Sequence, residues 1–200
     1  NIFPTEVNGR EAGAYILVTL DGGDEDEIFQ RAEILAEIGD ELGAYDTLVL
    51  SQPAEKQAVW EARDSFLTVI ESESELVDEM DVVVPVDRIP VFLRYAHDVG
   101  AENGVRMRSF GHAGDGNLHI YCCANDMKHE EFIERSRHVM RACYTKCVEF
   151  NGQISGEHGI GYGKKEYLRE AMGDTAIELM AGIKRVFDPT GILNPGKVCD

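Results

Sequence analysis

The chain has 200 residues, 44% of them hydrophobic, with 37 acidic against 19 basic side chains and a formal net charge of −18. That supplies one domain-sized core, and the acidity argues against nucleic acid and anionic membrane surfaces as partners, so an anionic substrate needs a locally basic pocket. No apolar run is long enough to span a bilayer, and no secretory or transit signal opens the chain. Five cysteines, with no Cys-x-x-Cys pair, fit a reduced, cytoplasmic setting. Asn1 is not an initiating residue, so the chain is expected to be a piece of a longer protein in which residues 1–200 form a single domain.

Residues 14–20 (AYILVTL) read as a buried strand ended by Asp21-Gly22-Gly23. Residues 24–43 place Ile28, Ala32, Leu35, Ile38 and Leu42 at helical spacing behind an acidic first turn. Residues 47–50 read as a second strand, and Pro53 opens a helix with Val59, Trp60, Phe66, Leu67 and Ile70 on its apolar side. Arg63 falls inside that stripe. Either it packs its stem and wets its head or it binds an anion, and the pattern alone leaves both open.

Residues 80–84 (MDVVV) read as a third strand closed by Pro85, and residues 86–102 as an amphipathic helix that stops near Asn103-Gly104. A hairpin follows at 109–121. Residues 128–150 form a long helix ending at Asn151-Gly152, with Phe132, Val139, Met140, Cys143, Cys147 and Phe150 inward. Cys143 and Cys147 read as small buried hydrophobes, and the neighbours Cys122 and Cys123 should point to opposite faces of a strand. Helices at 165–172 and 175–187 precede an irregular tail. The expected class is α+β: a ferredoxin-like, largely antiparallel sheet covered by helices, with a helical C-terminal part.

The chemistry concentrates in SFGHAGDGNLHIY at 109–121. Asp115-Gly116 signals a two-residue type I′ turn, which would set His112 directly opposite His119. Opposed Cβ atoms lie about 4.5–5.5 Å apart, close enough for two imidazoles to share a metal ion. Two ordinary strand histidines are the plainer alternative. A glycine-rich loop, SGEHGIGYG at 155–163, adds Glu157 and His158. Glu157 would complete a His/His/Glu donor set with an open position, and His158 could act as a general base. A featureless surface loop would also read this way. Gly191 to Lys197 matches a phosphate-binding loop by spacing, but Val198 replaces the hydroxyl residue, and no G-x-G-x-x-G fingerprint is present.

Four ordered motifs carry a resemblance over essentially the whole chain: WEAR at 60–63, GHAGDGNLH at 111–119, SGEHGIG at 155–161 and FDPTGILNPGK at 187–197. With these the chain resembles the C-terminal substrate (cap) domain of FAD-linked oxidases of the vanillyl-alcohol oxidase type. The similar members are D-lactate dehydrogenase, the flavin subunit of glycolate oxidase and D-2-hydroxyglutarate dehydrogenase.

The resemblance implies that His112, His119 and Glu157 hold a divalent metal, whether zinc, manganese or iron. It implies His158 as the base facing the substrate, Arg63 as the partner of the substrate carboxylate, and the tail around Asn194 as approaching the flavin. The FAD would be held mainly by a separate N-terminal domain, so these 200 residues are expected to be inactive alone. The implied reaction oxidises the hydroxyl of a small 2-hydroxy acid to a keto group, with hydride transfer to FAD. Electrons would pass to an electron-transfer flavoprotein, a quinone or an iron–sulfur subunit. The location would be cytoplasmic, including one peripheral to a membrane through that acceptor, and a homodimer stays open.

Hydroxyglutarate-type members place a lysine just before the third strand, where this chain has Asp78 and Glu79. That favours a monocarboxylate of the lactate or glycolate type. A metal-dependent hydrolase and a non-catalytic module stapled by a metal are the rival readings.

Overall fold

A computed structural model describes residues 2–199; Asn1 and Asp200, the ends of the expected 1–200 domain, lie outside the described residues. The chain divides into two compact units, with the division between Phe66 and Leu67.

In the first unit, β1 (Glu6–Val7) and β2 (Arg10–Glu11) form a small antiparallel hairpin turned through Asn8 and Gly9. Helix α1 (Glu25–Glu41) starts where the Asp24 side chain accepts from the Asp26 N–H at 2.9 Å, and three acids sit at its positive end. Helix α2 (Pro53–Asp64) begins with proline at its first position and a reciprocal cap between Gln52 and Glu55. The helix expected from Pro53 onward is broken at Ser65, and α3 (Phe66–Ser72), which falls in the second unit from Leu67 on, follows it.

The strands expected at 14–20 and 47–50 do not form. Neither segment has a ladder partner, and Ile16, Val18, Leu48 and Val49 stand exposed. Apolar, β-branched composition favours a strand only where a neighbouring edge accepts its N–H and C=O groups.

The second unit is built on one three-stranded antiparallel sheet of β3 (Leu76–Val83), β4 (Arg106–His112) and β5 (Asn117–Ala124), in the order β3-β5-β4. After β3 comes a 3-10 turn (Val86–Arg88) and α4 (Ile89–Glu102); after β5 comes α5 (His129–Glu149). The run β-α-β-β-α is the larger part of the expected ferredoxin-like arrangement, and among the described residues this sheet has no fourth strand. Helices α6 (Lys165–Met172) and α7 (Asp174–Phe187) make the helical C-terminal part.

Alternation along the strands divides the work of the sheet. Met80 and Val82 on β3, Met107 on β4, and Leu118, Ile120 and Cys122 on β5 join Phe92 and Ala96 of α4 and Val139, Cys143 and Cys147 of α5 in one buried core. The intervening residues of β5 face the other side, where Tyr121 and Cys123 pack with Ile70 and Phe110. Cys122 and Cys123 thus do point to opposite faces. After α5 the chain turns at Asn151, in the left-handed region, and Gln153 exchanges two backbone hydrogen bonds with Val83 at 2.8 and 2.9 Å. That bridge returns the glycine-rich loop to the end of β3.

Among the described residues, no helix is long and apolar enough to cross a membrane.

Four of the five cysteines are buried and unpaired, and Cys199 is half-buried. Burial pushes the thiols of Cys143 and Cys147 up from the ordinary 9.0 to about 12. Groups held protonated in this way stabilise the fold below pH 9, and the contribution is lost as pH rises from there toward 12. Urea midpoints should therefore fall across that alkaline interval. A thiol reagent at neutral pH should label Cys199 quickly and the other four only as fast as the protein unfolds.

Candidate functional site

The hairpin brings the two histidines together by a different register from the expected one. His112 pairs with Asn117, and His119 pairs with Phe110. The connection is four residues, 113–116, in which the Asp115 N–H donates to the His112 carbonyl at 3.0 Å and only Gly116 has positive φ, +75°. A type I′ turn would require Asp115 to be left-handed as well. Gly116 is needed twice over, because a Cβ there would also strike the Val84 carbonyl. The slip is two residues, a whole side-chain period, so both imidazoles remain on one face. Their ring centroids are 6.0 Å apart at 81°.

Glu157 completes the group. Its Oε1 lies 3.7 Å from His112 Nε2 and its Oε2 lies 3.5 Å from His119 Nε2. Neighbouring donors on a tetrahedral ion with bonds of about 2.0–2.2 Å are about 3.3–3.6 Å apart, so the three donors stand near metal-ligand spacing. Two imidazoles and a carboxylate suit zinc, manganese or iron(II). His119 is buried, and its Nδ1 has no hydrogen-bond partner; the nearest carboxylate oxygen is Glu79 Oε1 at 3.6 Å. Burial first, then the neighbouring His158, lowers the His119 pKa against the opposing pull of Asp81, Glu157 and Glu79. That keeps Nε2 available as a neutral ligand.

His158 stacks on His119, with centroids 5.0 Å apart and planes at 25°. Its Nδ1 lies 3.2 Å from Glu79 Oε1, and the same oxygen accepts from the Tyr121 hydroxyl at 3.0 Å. Glu79 thus stands beside both His119 and His158, and Glu79, His119 and His158 form a second set of donor atoms, each within 4.8 Å of the others. His112, His119, Glu157 and His158, chosen from sequence, lie together on the face of the sheet opposite α4 and α5.

Arg63 belongs to the first unit, near the end of α2. It is about 29% exposed, with its Nη1 3.3 Å from Asp64 Oδ1. Asn194 sits in the C-terminal tail at φ +46°, where its Oδ1 accepts from Lys197 Nζ at 3.1 Å.

Sequence reasoning passed over Asp81, which is fully buried on the same face. Its Oδ2 accepts from the N–H groups of Gly156, Glu157 and His158 at 2.9, 2.9 and 2.8 Å, and from Ser155 Oγ at 3.2 Å. Its Oδ1 accepts from Asn117 Nδ2 at 2.7 Å. Burial would raise its pKa, but the hydrogen bonds from His158, Asn117 and Glu157 and the charge of Lys164 hold it well below the usual carboxylate range. Lys164 itself is largely buried, its Nζ 3.9 Å from Asp81 Oδ2, and burial lowers its pKa against the pull of Asp81 and Glu79. The available signal was a single acid inside the apolar run MDVVV, since a charge in a buried strand demands partners.

An α+β unit thus presents two histidines, a carboxylate and a further histidine on one sheet face, donor atoms of the kind that metal ions take. The family described as FAD linked oxidases, C-terminal domain, matches residues 4–198, and the chain belongs to that family. It is 48% identical to a D-lactate dehydrogenase of Anaerostipes hadrus over 198 residues, covering 99% of this chain and 42% of that protein. It is 32% identical over 189 residues to the glycolate oxidase subunit GlcD of Bacillus subtilis, covering 94% and 39%. It is 34% identical over 154 residues to a D-2-hydroxyglutarate dehydrogenase of Stutzerimonas stutzeri, covering 75% and 33%. The chain thus spans about two fifths or less of the length of these relatives.

Replacing His112 by Ala or Glu157 by Gln should lower the affinity for zinc or manganese at least about tenfold. Metal titration against a chelator checks it, with the far-ultraviolet circular dichroism expected to stay unchanged.

Proposed function

We propose that this chain is the substrate-binding part of a flavin-dependent 2-hydroxyacid dehydrogenase acting on a small monocarboxylate of the D-lactate or glycolate type. The observation that carries the proposal is the meeting of His112, His119, Glu157 and His158 on one face of the sheet. Membership in an FAD-linked oxidase family and the named relatives agree with it.

In this reading His112, His119 and Glu157 would hold a divalent metal, which, when bound, supplies a Lewis acid for the adjacent hydroxyl and carboxylate oxygens of the substrate. His158 takes the hydroxyl proton, and Glu79 beside its Nδ1 favours the tautomer in which Nε2 is the free base. Arg63 offers a planar two-point contact to the substrate carboxylate that lysine could not reproduce. FAD, when bound, supplies the two-electron acceptor; Asn194 is the residue of this chain assigned to approach it, and most of its binding falls to a separate domain. The protein would be cytoplasmic and pass electrons to an electron-transfer flavoprotein, a quinone or an iron–sulfur subunit.

Glu79 also supports the choice of substrate. A second carboxylate entering beside it would meet like charge close to the stacked histidines.

The test uses the complete protein with a substrate panel. D-Lactate or glycolate should exceed D-2-hydroxyglutarate in kcat/KM by about tenfold or more, corresponding to roughly 1.4 kcal/mol of repulsion. Comparable values would overturn the monocarboxylate assignment. His158→Gln should lower kcat by about 10²–10⁴-fold while metal content holds. Turnover of an ester or amide without flavin would instead favour a metal-dependent hydrolase.

A further inference from the structure

Asp81 lies across the β3–β5 ladder from His119, with no exposed surface. Three consecutive N–H groups, those of Gly156, Glu157 and His158, converge on its Oδ2. Successive backbone N–H groups form a concavity that binds anions, and here the anion is the protein's own side chain. Its other oxygen takes the amide of Asn117, the residue paired with His112 at the end of the hairpin. One carboxylate therefore joins β5, which carries His119 and pairs with the strand of His112, to the loop that carries the Glu157-His158 pair.

We propose that Asp81 is the positioning residue of this site, a buried carboxylate that sets the backbone of Glu157 and His158 against His119. The inference rests on the reading of those residues as metal ligands and base. Two further observations separate it from a generic buried ion pair.

First, the space is closed. A Cβ on Gly156 would collide with the Asn117 amide and approach the Asp81 carboxylate within 2.8 Å, so no side chain fits at that position. Second, the charge matters as well as the shape. An ionised carboxylate accepts at both oxygens, which suits donors on both sides, whereas a carboxamide has one accepting oxygen and sets its N–H groups against either the loop donors or the Asn117 amide. The nearest cation, Lys164 Nζ, is 3.9 Å away and makes no hydrogen bond, so the N–H groups satisfy the carboxylate. The loop amides so held belong to the residues that carry the ligand and the base. A shift of about 1 Å at such a position is enough to degrade a site.

The experiment compares wild type and Asp81→Asn in the complete protein, with amide hydrogen exchange and zinc affinity as readouts. Exchange at Gly156, Glu157 and His158 should accelerate about tenfold or more, with Ile120 and Cys122 on β5 unchanged. Zinc affinity should weaken about 10–100-fold in the folded variant, the usual cost of losing an outer support of a metal site. Protection and affinity both within twofold of wild type would overturn the proposal. So would a lowered unfolding midpoint with zinc affinity intact, the signature of a merely structural role.

If Asp81→Asn does not fold, the wild-type protein decides. Its metal-free form should protect the three loop amides as strongly as β5, and exchange at free-loop rates would overturn the proposal. Wild type that binds no zinc while those amides stay protected would sink the metal reading and leave the anchoring role of Asp81 supported.

Discussion

The structure of the site depends on one buried carboxylate. An ionised group removed from water is tolerated only when hydrogen bonds replace its hydration. Asp81 receives three from consecutive backbone N–H groups, one from a serine hydroxyl and one from an asparagine amide. The glycine-rich loop gains a fixed conformation from this arrangement. Gly156 to His158 are exposed and have no ladder partner, so their hydrogen bonds to Asp81 are what fix their backbone.

The sheet makes that contact possible. Met80 and Val82 turn toward α4 and α5, so Asp81 must turn the other way, and Glu79 with it. The central strand β5 repeats the division, giving Leu118, Ile120 and Cys122 to the core and Asn117, His119 and Tyr121 to the site. The helices α4 and α5 cover the core face, which leaves the other face to the polar residues. His119 is nearly buried yet offers Nε2 toward Glu157, a combination that suits a neutral ligand.

Much of this was legible in the residues. Helices α1, α4, α5, α6 and α7 follow their apolar periodicity and caps to within a few positions. His112 and His119 share a face under the expected register and under the observed one, because the difference between them is one full period. Glu157 and His158 stood out as the one carboxylate and the one imidazole in a glycine-rich loop. The turn was misread because Asp-Gly suits two geometries, and the choice between them is made by Gly116 packing against Val84. Residues 14–20 and 47–50 look like strands by composition, but composition does not supply the neighbouring edge that a strand requires.

The sequence by itself determined the α+β class, the placement of two histidines on one face of a hairpin, and the presence of a carboxylate and a third imidazole in a glycine-rich loop. Those follow from local propensity and period, which act over a few residues. Only the tertiary structure decided that the loop folds onto the hairpin, that Glu79 stands between His119, His158 and Tyr121, and that Asp81 holds the assembly. Asp81 lies 75 positions from Gly156 and 77 from His158, and no local rule links residues so far apart. Their contact exists because a buried charge must find donors, and the β3–Gln153 bridge brings those donors within reach.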